Sequence, residues 1–199
     1  EHTTIIYDRT NKRFKQTLNR YTNNSDNKIY LNSTSNLNYE GNPTPVISNT
    51  TYTYDSFGNV LFVNSSGNIA VAGDEKYETY VYVYNTTAYI VNKQSNYSLQ
   101  NATFSLLKRT WLYYDNLANG VTKGDITRIL QYNDHGQNPE TNYSYDSYGN
   151  VIREVDALGN EANYTIDSTT NTFVTRKTNA IGHRINYDYD KGMGNILFE

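Results

Sequence analysis

Tyr143-Ser-Tyr-Asp-Ser-Tyr-Gly-Asn150 is nearly repeated by Tyr52-Thr-Tyr-Asp-Ser-Phe-Gly-Asn59. A looser copy with one extra residue runs from Tyr187 through Tyr189, Asp190 and Gly194 to Asn195. Each string has the chemistry of a hairpin. Tyr-x-Tyr puts two rings on one face of a strand, because side chains alternate (Tyr52 and Tyr54, Tyr143 and Tyr145). Asp55 or Asp146 at the strand end suits the first position of a type I turn, where its carboxylate accepts a backbone N–H two residues on. Gly58 or Gly149, three residues later, suits the left-handed position that closes a turn-plus-bulge loop. If Asp55 pairs with Asn59, Tyr54 lies opposite Val60 and Tyr52 opposite Phe62. The product is an aromatic-rich, one-sided hairpin that must bury its rings against something.

The strings recur with a period. Asp146, Asp167 and Asp190 are 21 and 23 residues apart. Between them, Asp156–Asp167 aligns without gaps on Asn179–Asp190, matching Gly159 to Gly182, Asn163 to Asn186 and Tyr164 to Tyr187. The C-terminal third is therefore an array of strand-turn units of roughly twenty residues, the mark of a repeat architecture. These strings resemble the YD-repeat, or Rhs-repeat, family. Its unit reads Tyr-Asp, two residues, Gly-Asn, a short strand, then Asp-x-x-Gly and another Tyr-ending strand. The resemblance is specific over Tyr143–Phe198 and Tyr52–Val63 and loose between Tyr77 and Asp134. Residues 1–51 hold one degenerate copy, Tyr7-Asp8, with no Gly in its turn.

The resemblance implies more than the residues do. Bacterial YD-repeat proteins build a large hollow shell from a spiralling β-sheet, and many enclose a C-terminal toxin domain. Their relatives include the B–C components of insecticidal toxin complexes, wall-associated polymorphic toxins and the animal teneurins. The expected setting is then secreted or cell-surface, bacterial and linked to virulence, and the expected partners are the rest of the array and an enclosed toxin. The shell-closing segment, with its Tyr-Asp-Pro-x-x-Gly-Arg signature and nearby aspartates, is missing. Trp111-Leu-Tyr-Tyr-Asp115 continues with Asn116, not Pro, so self-cleavage is not assigned.

Composition agrees with strands. Of 199 residues, 21 are Tyr and 29 Asn against 3 Pro, which argues for strands joined by turns and against a disordered linker. Charged residues make up 19% and the net charge is -3, without the clustered basic surface that nucleic acid asks for. No apolar run approaches the roughly 20 residues of a membrane span. The absence of Cys excludes disulfides, thiolate catalysis and Cys-based metal sites. A start at Glu1 without Met, and an end at Leu197-Phe198-Glu199 inside an expected strand, read as cuts within a longer polypeptide.

Three regions are expected. Residues 1–50 form a polar N-terminal segment: a hairpin with its turn near Asp8 to Lys12, then a long loop over Tyr21 to Thr50 with short strands at Lys28–Leu31 and Val46–Ile47. Residues 51–135 form divergent hairpins, with a short strand at Ile69–Ala72, an interior strand at Tyr77–Tyr84, a return at Ala88–Asn92 and a long strand at Phe104–Tyr114. Residues 136–199 form the regular repeats. No window of a dozen residues carries a 3.6-residue apolar period, so no helix is expected.

Candidate chemistry is thin. Ser105-Leu-Leu-Lys108 and Ser25-Asp26-Asn27 match two motifs of penicillin-binding enzymes, but the first needs a helix to bring Lys beside Ser and falls in a strand pattern. His2, His135 and His183 lack a second ligand at zinc spacing. Each repeat Asp (Asp55, Asp146, Asp167, Asp190) offers one carboxylate, whereas calcium needs roughly six to eight converging oxygens, so turn capping is the plainer role. The tyrosines could form a glycan platform, yet they also suit a half-buried sheet with the hydroxyl at its margin. Nine Asn-x-Ser/Thr sequons are what so much Asn, Ser and Thr produces. The reading is an all-β array of antiparallel hairpins forming a curved sheet, non-enzymatic, with no cofactor and no metal. Two functions stay open: a wall segment of a toxin-enclosing shell, or a surface module binding glycans or a cell-surface receptor. Buried rings favour the wall, and a row of exposed coplanar rings favours the binder.

Overall fold

The computed structural model describes residues 1–23 and 27–198. Among them the only regular elements are sixteen β-strands. The first eight are β1 (His2–Tyr7), β2 (Arg13–Asn23), β3 (Ile29–Asn38), β4 (Val46–Tyr54), β5 (Val60–Ser65), β6 (Lys76–Asn85), β7 (Ile90–Asn101) and β8 (Leu106–Tyr114). The rest are β9 (Ile126–Gln131), β10 (Glu140–Tyr145), β11 (Val151–Val155), β12 (Glu161–Ile166), β13 (Val174–Thr178), β14 (Arg184–Asn186), β15 (Asp188–Asp190) and β16 (Asn195–Phe198). β1 to β14 form one antiparallel sheet in chain order, not closed into a barrel, and β15–β16 form a separate pair. No helix of the described residues is long and apolar enough to cross a membrane. The chain forms two compact units, Glu1–Tyr82 with Gln94–Arg109, and Val83–Lys93 with Thr110–Glu199.

In the first unit the expected long loop over Tyr21 to Thr50 is instead mostly strand. β2 extends to Asn23, and β3 and β4 are ten and nine residues long. These strands lack apolar alternation, so their signal lies in cross-strand polar pairs. Thr17 faces Asn36 and Asn19 faces Thr34 across β2–β3. The Thr17 hydroxyl donates to Asn36 Oδ1 at 3.0 Å and the Thr34 hydroxyl to Asn19 Oδ1 at 2.9 Å. The polar run Asn92–Asn101 is likewise strand, as the second part of β7. In the other direction, Ile69–Ala72 is turn and not strand. Asn68 Oδ1 accepts from Ala70 N, Asp74 Oδ2 accepts from Asn68 N, and Gly67 and Gly73 stand at φ +58° and +99°. Those hydrogen bonds curl the segment before it can pair.

Aromatic packing in this unit runs laterally along the sheet. Tyr30 stacks on Tyr54 with centroids 4.7 Å apart, and Tyr77 lies between Phe62 at 6.1 Å and Phe104 at 4.4 Å. Tyr80 leans on Tyr97 at 5.2 Å, and both hydroxyls donate to Glu78 Oε2. Burial raises both phenol pKa values, and the Glu78 carboxylate raises them further. The second unit has a small core of Val83, Tyr114 and Val121, with Ile90, Leu112 and Ile126 packed against it. Few side chains are buried outright, and Tyr52, Tyr54, Tyr143 and Tyr145 are each half-buried. Neighbouring strands cover the rings.

Candidate functional site

The repeat residues build one hairpin device in several copies. In six turns the first residue donates its N–H to the carbonyl four residues on, and the fourth residue donates back to the first residue's carbonyl. These begin at Asp8, Asp55, Asn101, Asp146, Asp156 and Asn179. In all six, one side-chain oxygen of the first residue accepts backbone N–H groups two and four residues on. The fourth residue is left-handed in each: Asn11, Gly58, Phe104, Gly149, Gly159 and Gly182, with Gly58 at φ +96° and Gly149 at +88°. This is the turn-plus-bulge geometry read from the spacing. Asn59, Asn150 and Asn160 add a second clasp, each donating a side-chain N–H to the other carboxylate oxygen of its own turn Asp. His183 stands at that fifth position in the last copy and donates only its backbone N–H.

The residue before most turn Asp residues sits at a register shift, Val155 before Asp156 being the exception. The shift falls at Tyr7, Tyr54, Tyr145 and Tyr189, and equally at Tyr114 and Ile166 before the longer Asp115 and Asp167 loops. One residue of the returning strand is extra each time: a β-bulge. Tyr54 therefore faces Val60 as expected, but Leu61 is the extra residue, so Thr53 faces Phe62 and Tyr52 faces Val63. The expected pairing of Tyr52 with Phe62 is corrected by that one bulge. The bulge also frees the Tyr ring to lean over the preceding strand. Tyr54 donates its hydroxyl to the Leu31 carbonyl at 2.8 Å, and Tyr145 donates to the Ile126 carbonyl at 2.7 Å.

Two loops carry more demanding carboxylates. Asp115 closes the loop to Asp125 and accepts the N–H groups of Thr122, Lys123, Gly124 and Asp125. Burial pushes its pKa up, but those donors outweigh it and bring it down to about 2. Asp167 is buried. It accepts from the N–H groups of Thr169, Thr170, Thr172 and Phe173 and from the Thr170 hydroxyl. The donors at Thr170 and Phe173, against burial, hold this carboxyl far below its ordinary range. Lys191 Nζ lies 3.5 Å from Asp167 Oδ2, and Tyr189 stacks on Phe173 at 4.9 Å. The β15–β16 hairpin, with Tyr187, Asp190, Gly194 and Asn195, is thereby fastened to the Asp167 loop. Asp190 Oδ1 accepts from Gly192 and Met193, and Gly194 stands at φ +74°. Tyr164 donates to Glu154 Oε2 with Lys177 above its ring.

No catalytic set assembles from the sequence candidates. Ser105 ends a turn with its hydroxyl 3.0 Å from that of Thr103, while Lys108, in β8, lies over the Tyr97 ring. Ser25 and Asp26 lie outside the described residues. His135 is exposed beside Asp134, and no group of three or more His, Cys, Asp or Glu among the described residues is placed to hold a metal ion. Sequence reasoning missed one feature, a groove lined by Tyr7, Lys12, Arg13, Tyr39, Gly41, Asn42 and Pro43. Its parts are far apart in the chain and meet only because β1–β2 and β3–β4 turn at neighbouring places.

No protein-family model and no curated protein sequence matches this chain. Among solved structures it is similar to the Tc holotoxin pore of Photorhabdus luminescens, with a TM-score of 0.62 and 14% identity over 98% of this chain. It spans 10% of that chain. A TcdB2–TccC3 crystal structure aligns with a TM-score of 0.43 at 14% identity, over 98% of this chain and 11% of the other. A porin-like protein from Bacteroides uniformis aligns with a TM-score of 0.42 at 14% identity, over 98% of this chain and 85% of the other. The likeness to the holotoxin chain is one of fold. The expected family resemblance had named the components of insecticidal toxin complexes, and at the level of fold it is met.

Proposed function

We propose that this chain is a wall segment of a large secreted YD-repeat shell, of the kind that encloses a toxin domain. The observation that carries the reading is the fold match of almost the whole chain to a tenth of the Tc holotoxin chain. The local construction supports it. The hairpins at Asp55 and Asp146 each close their own turn and lean on the strand before, so a sheet of such units lengthens by addition and needs no second layer. The turn aspartates, Asp8, Asp55, Asp115, Asp146, Asp156, Asp167 and Asp190, are occupied with the N–H groups of their own turns, which suits a non-enzymatic scaffold that takes no cofactor. Its partners are the rest of its own array and the enclosed cargo, and its setting is extracellular and bacterial.

The test uses the natural polypeptide that carries this chain, examined by electron microscopy and limited proteolysis. The expected result is a hollow particle with a protease-protected segment inside. That segment should become sensitive when β10 to β13 are deleted. An extended particle with no protected cargo would overturn the proposal.

A further inference from the structure

The groove beside β1 and β2 has features a wall does not need. Tyr7 faces Arg13 directly across β1–β2. Arg13 Nη1 donates to the Tyr39 hydroxyl at 3.1 Å and to Gln16 Oε1 at 3.2 Å, and its guanidinium lies 5.2 Å from the Tyr39 ring centre. Among the described residues no carboxylate forms an ion pair with it. Asp8, the acid of the β1–β2 turn, uses Oδ1 on the N–H groups of Thr10 and Lys12 and on the Thr10 hydroxyl. Lys12 lines the same groove. Tyr7 is 52% exposed, and Pro43 also lines the groove.

We infer that this groove binds a saccharide bearing a carboxylate. A guanidinium fork oriented by a phenol and a side-chain amide suits a planar carboxylate, which accepts two parallel N–H groups. An exposed Tyr suits the C–H face of a sugar ring, with its hydroxyl at the margin for a sugar hydroxyl. Asn42 adds an amide for a further hydroxyl. A neutral sugar would leave the Arg13 charge without a partner, so the site selects for the acid. The inference goes beyond the wall reading, since a shell wall can carry such a groove or lack it.

Titration by NMR of the 199-residue chain tests it, with sialyllactose, a glucuronate-containing disaccharide, lactose and inorganic sulfate as the probes. One of the two acidic sugars should shift the amides of residues 7, 13, 39 and 42. Which one does so distinguishes a sialic acid from a uronic acid site. Lactose and sulfate should leave these amides in place. Arg13→Gln should weaken binding about tenfold, the worth of a charge-assisted hydrogen-bonded pair, and Arg13→Lys should lose part of that because the fork is gone. Arg20→Gln, outside the groove, should change nothing. Arg13 is exposed, so its variants should melt with the parent protein and keep the test interpretable. Silence from both acidic sugars, lactose binding as tightly as either, or full affinity in Arg13→Gln would each overturn the inference. Sulfate shifting the same amides as strongly would reduce the site to a general anion contact and overturn it too.

Discussion

Replacing Gly149 by Ala isolates what the left-handed turn position contributes. Gly149 stands at φ +88°, and a Cβ built there meets only Asp125 Oδ1, at 3.9 Å. There is no clash, so the cost is that of the backbone conformation, about 1–2 kcal/mol for an L-residue. Ala also stiffens the unfolded chain, which returns roughly 0.4–1 kcal/mol. The net loss should be about 1 kcal/mol, or about 2–4 °C in Tm for a protein of this size. Urea unfolding followed by circular dichroism would read it, with the slope m unchanged. Hydrogen exchange across β10–β11 would place the loss in that hairpin. Gly149→Asn is the control, because Asn tolerates the left-handed region and should recover much of the loss. Gly58→Ala should cost more than Gly149→Ala. Its Cβ meets Tyr30 Cε1 at 3.3 Å, and that ring is stacked on Tyr54 and cannot yield freely. A neutral Gly149→Ala, or an Asn variant as unstable as the Ala variant, would refute the handedness argument.

Asp167→Asn should destabilise the protein by about 1–3 kcal/mol, since a neutral amide cannot satisfy the same donors and leaves some unpaired; hydrogen exchange should rise in residues 167–173 and in β15–β16 together. Tyr145→Phe removes the hydroxyl bonded to the Ile126 carbonyl and should cost about 1 kcal/mol, whereas Tyr148→Phe, at an exposed turn tip, should be neutral in the same melt. Acid should weaken the fold in a defined window. Hydrogen bonds from Asn150 and Asn160 lower the carboxyls of Asp146 and Asp156, and backbone donors lower that of Asp115 to about 2. Each pKa is lower in the folded than in the unfolded chain. Their stabilisation is therefore complete above the unfolded carboxyl value of about 4 and is lost as pH falls toward 2. Melting temperatures flat from pH 7 to 2 would contradict it.

The hairpins at Asp55 and Asp146 were legible because three local signals agreed: Tyr alternation, Asp at the strand end and Gly three residues on. The hairpin at Asn101 was not, because its left-handed position holds Phe104, a residue that no spacing rule would place there. The stack of Phe104 on Tyr77 at 4.4 Å supplies part of what the backbone costs. The full lengths of β2 to β4, beyond the short strands read at Lys28–Leu31 and Val46–Ile47, were illegible for a different reason. Between β2 and β3 the side chains pair through Thr–Asn hydrogen bonds, which leave no apolar period in either strand alone. The groove at Arg13 was beyond any local reading, since it joins residues 7–13 to residues 39–43.

The Tyr-Asp pair explains why a sheet with so few buried side chains keeps its order. Asp alone would close a turn, but a closed two-stranded hairpin is marginal in water. Tyr alone would leave a half-exposed ring beside a straight ladder. Placed together at a bulge, they act on different strands. Asp55 and Asp146 bind the chain ahead of them, while Tyr54 and Tyr145 reach back to carbonyls of β3 and β9. Both hairpins are thus tied forward within themselves and backward to the strand before, with hydrogen bonds that need no opposing layer. The price is an open edge. β1 is exposed along its whole length, from His2 to Tyr7, and among the described residues pairs with β2 alone. Such a strand invites another to pair with it. The device that lets hairpins be added one after another thus leaves the backbone groups of an edge strand open to pairing.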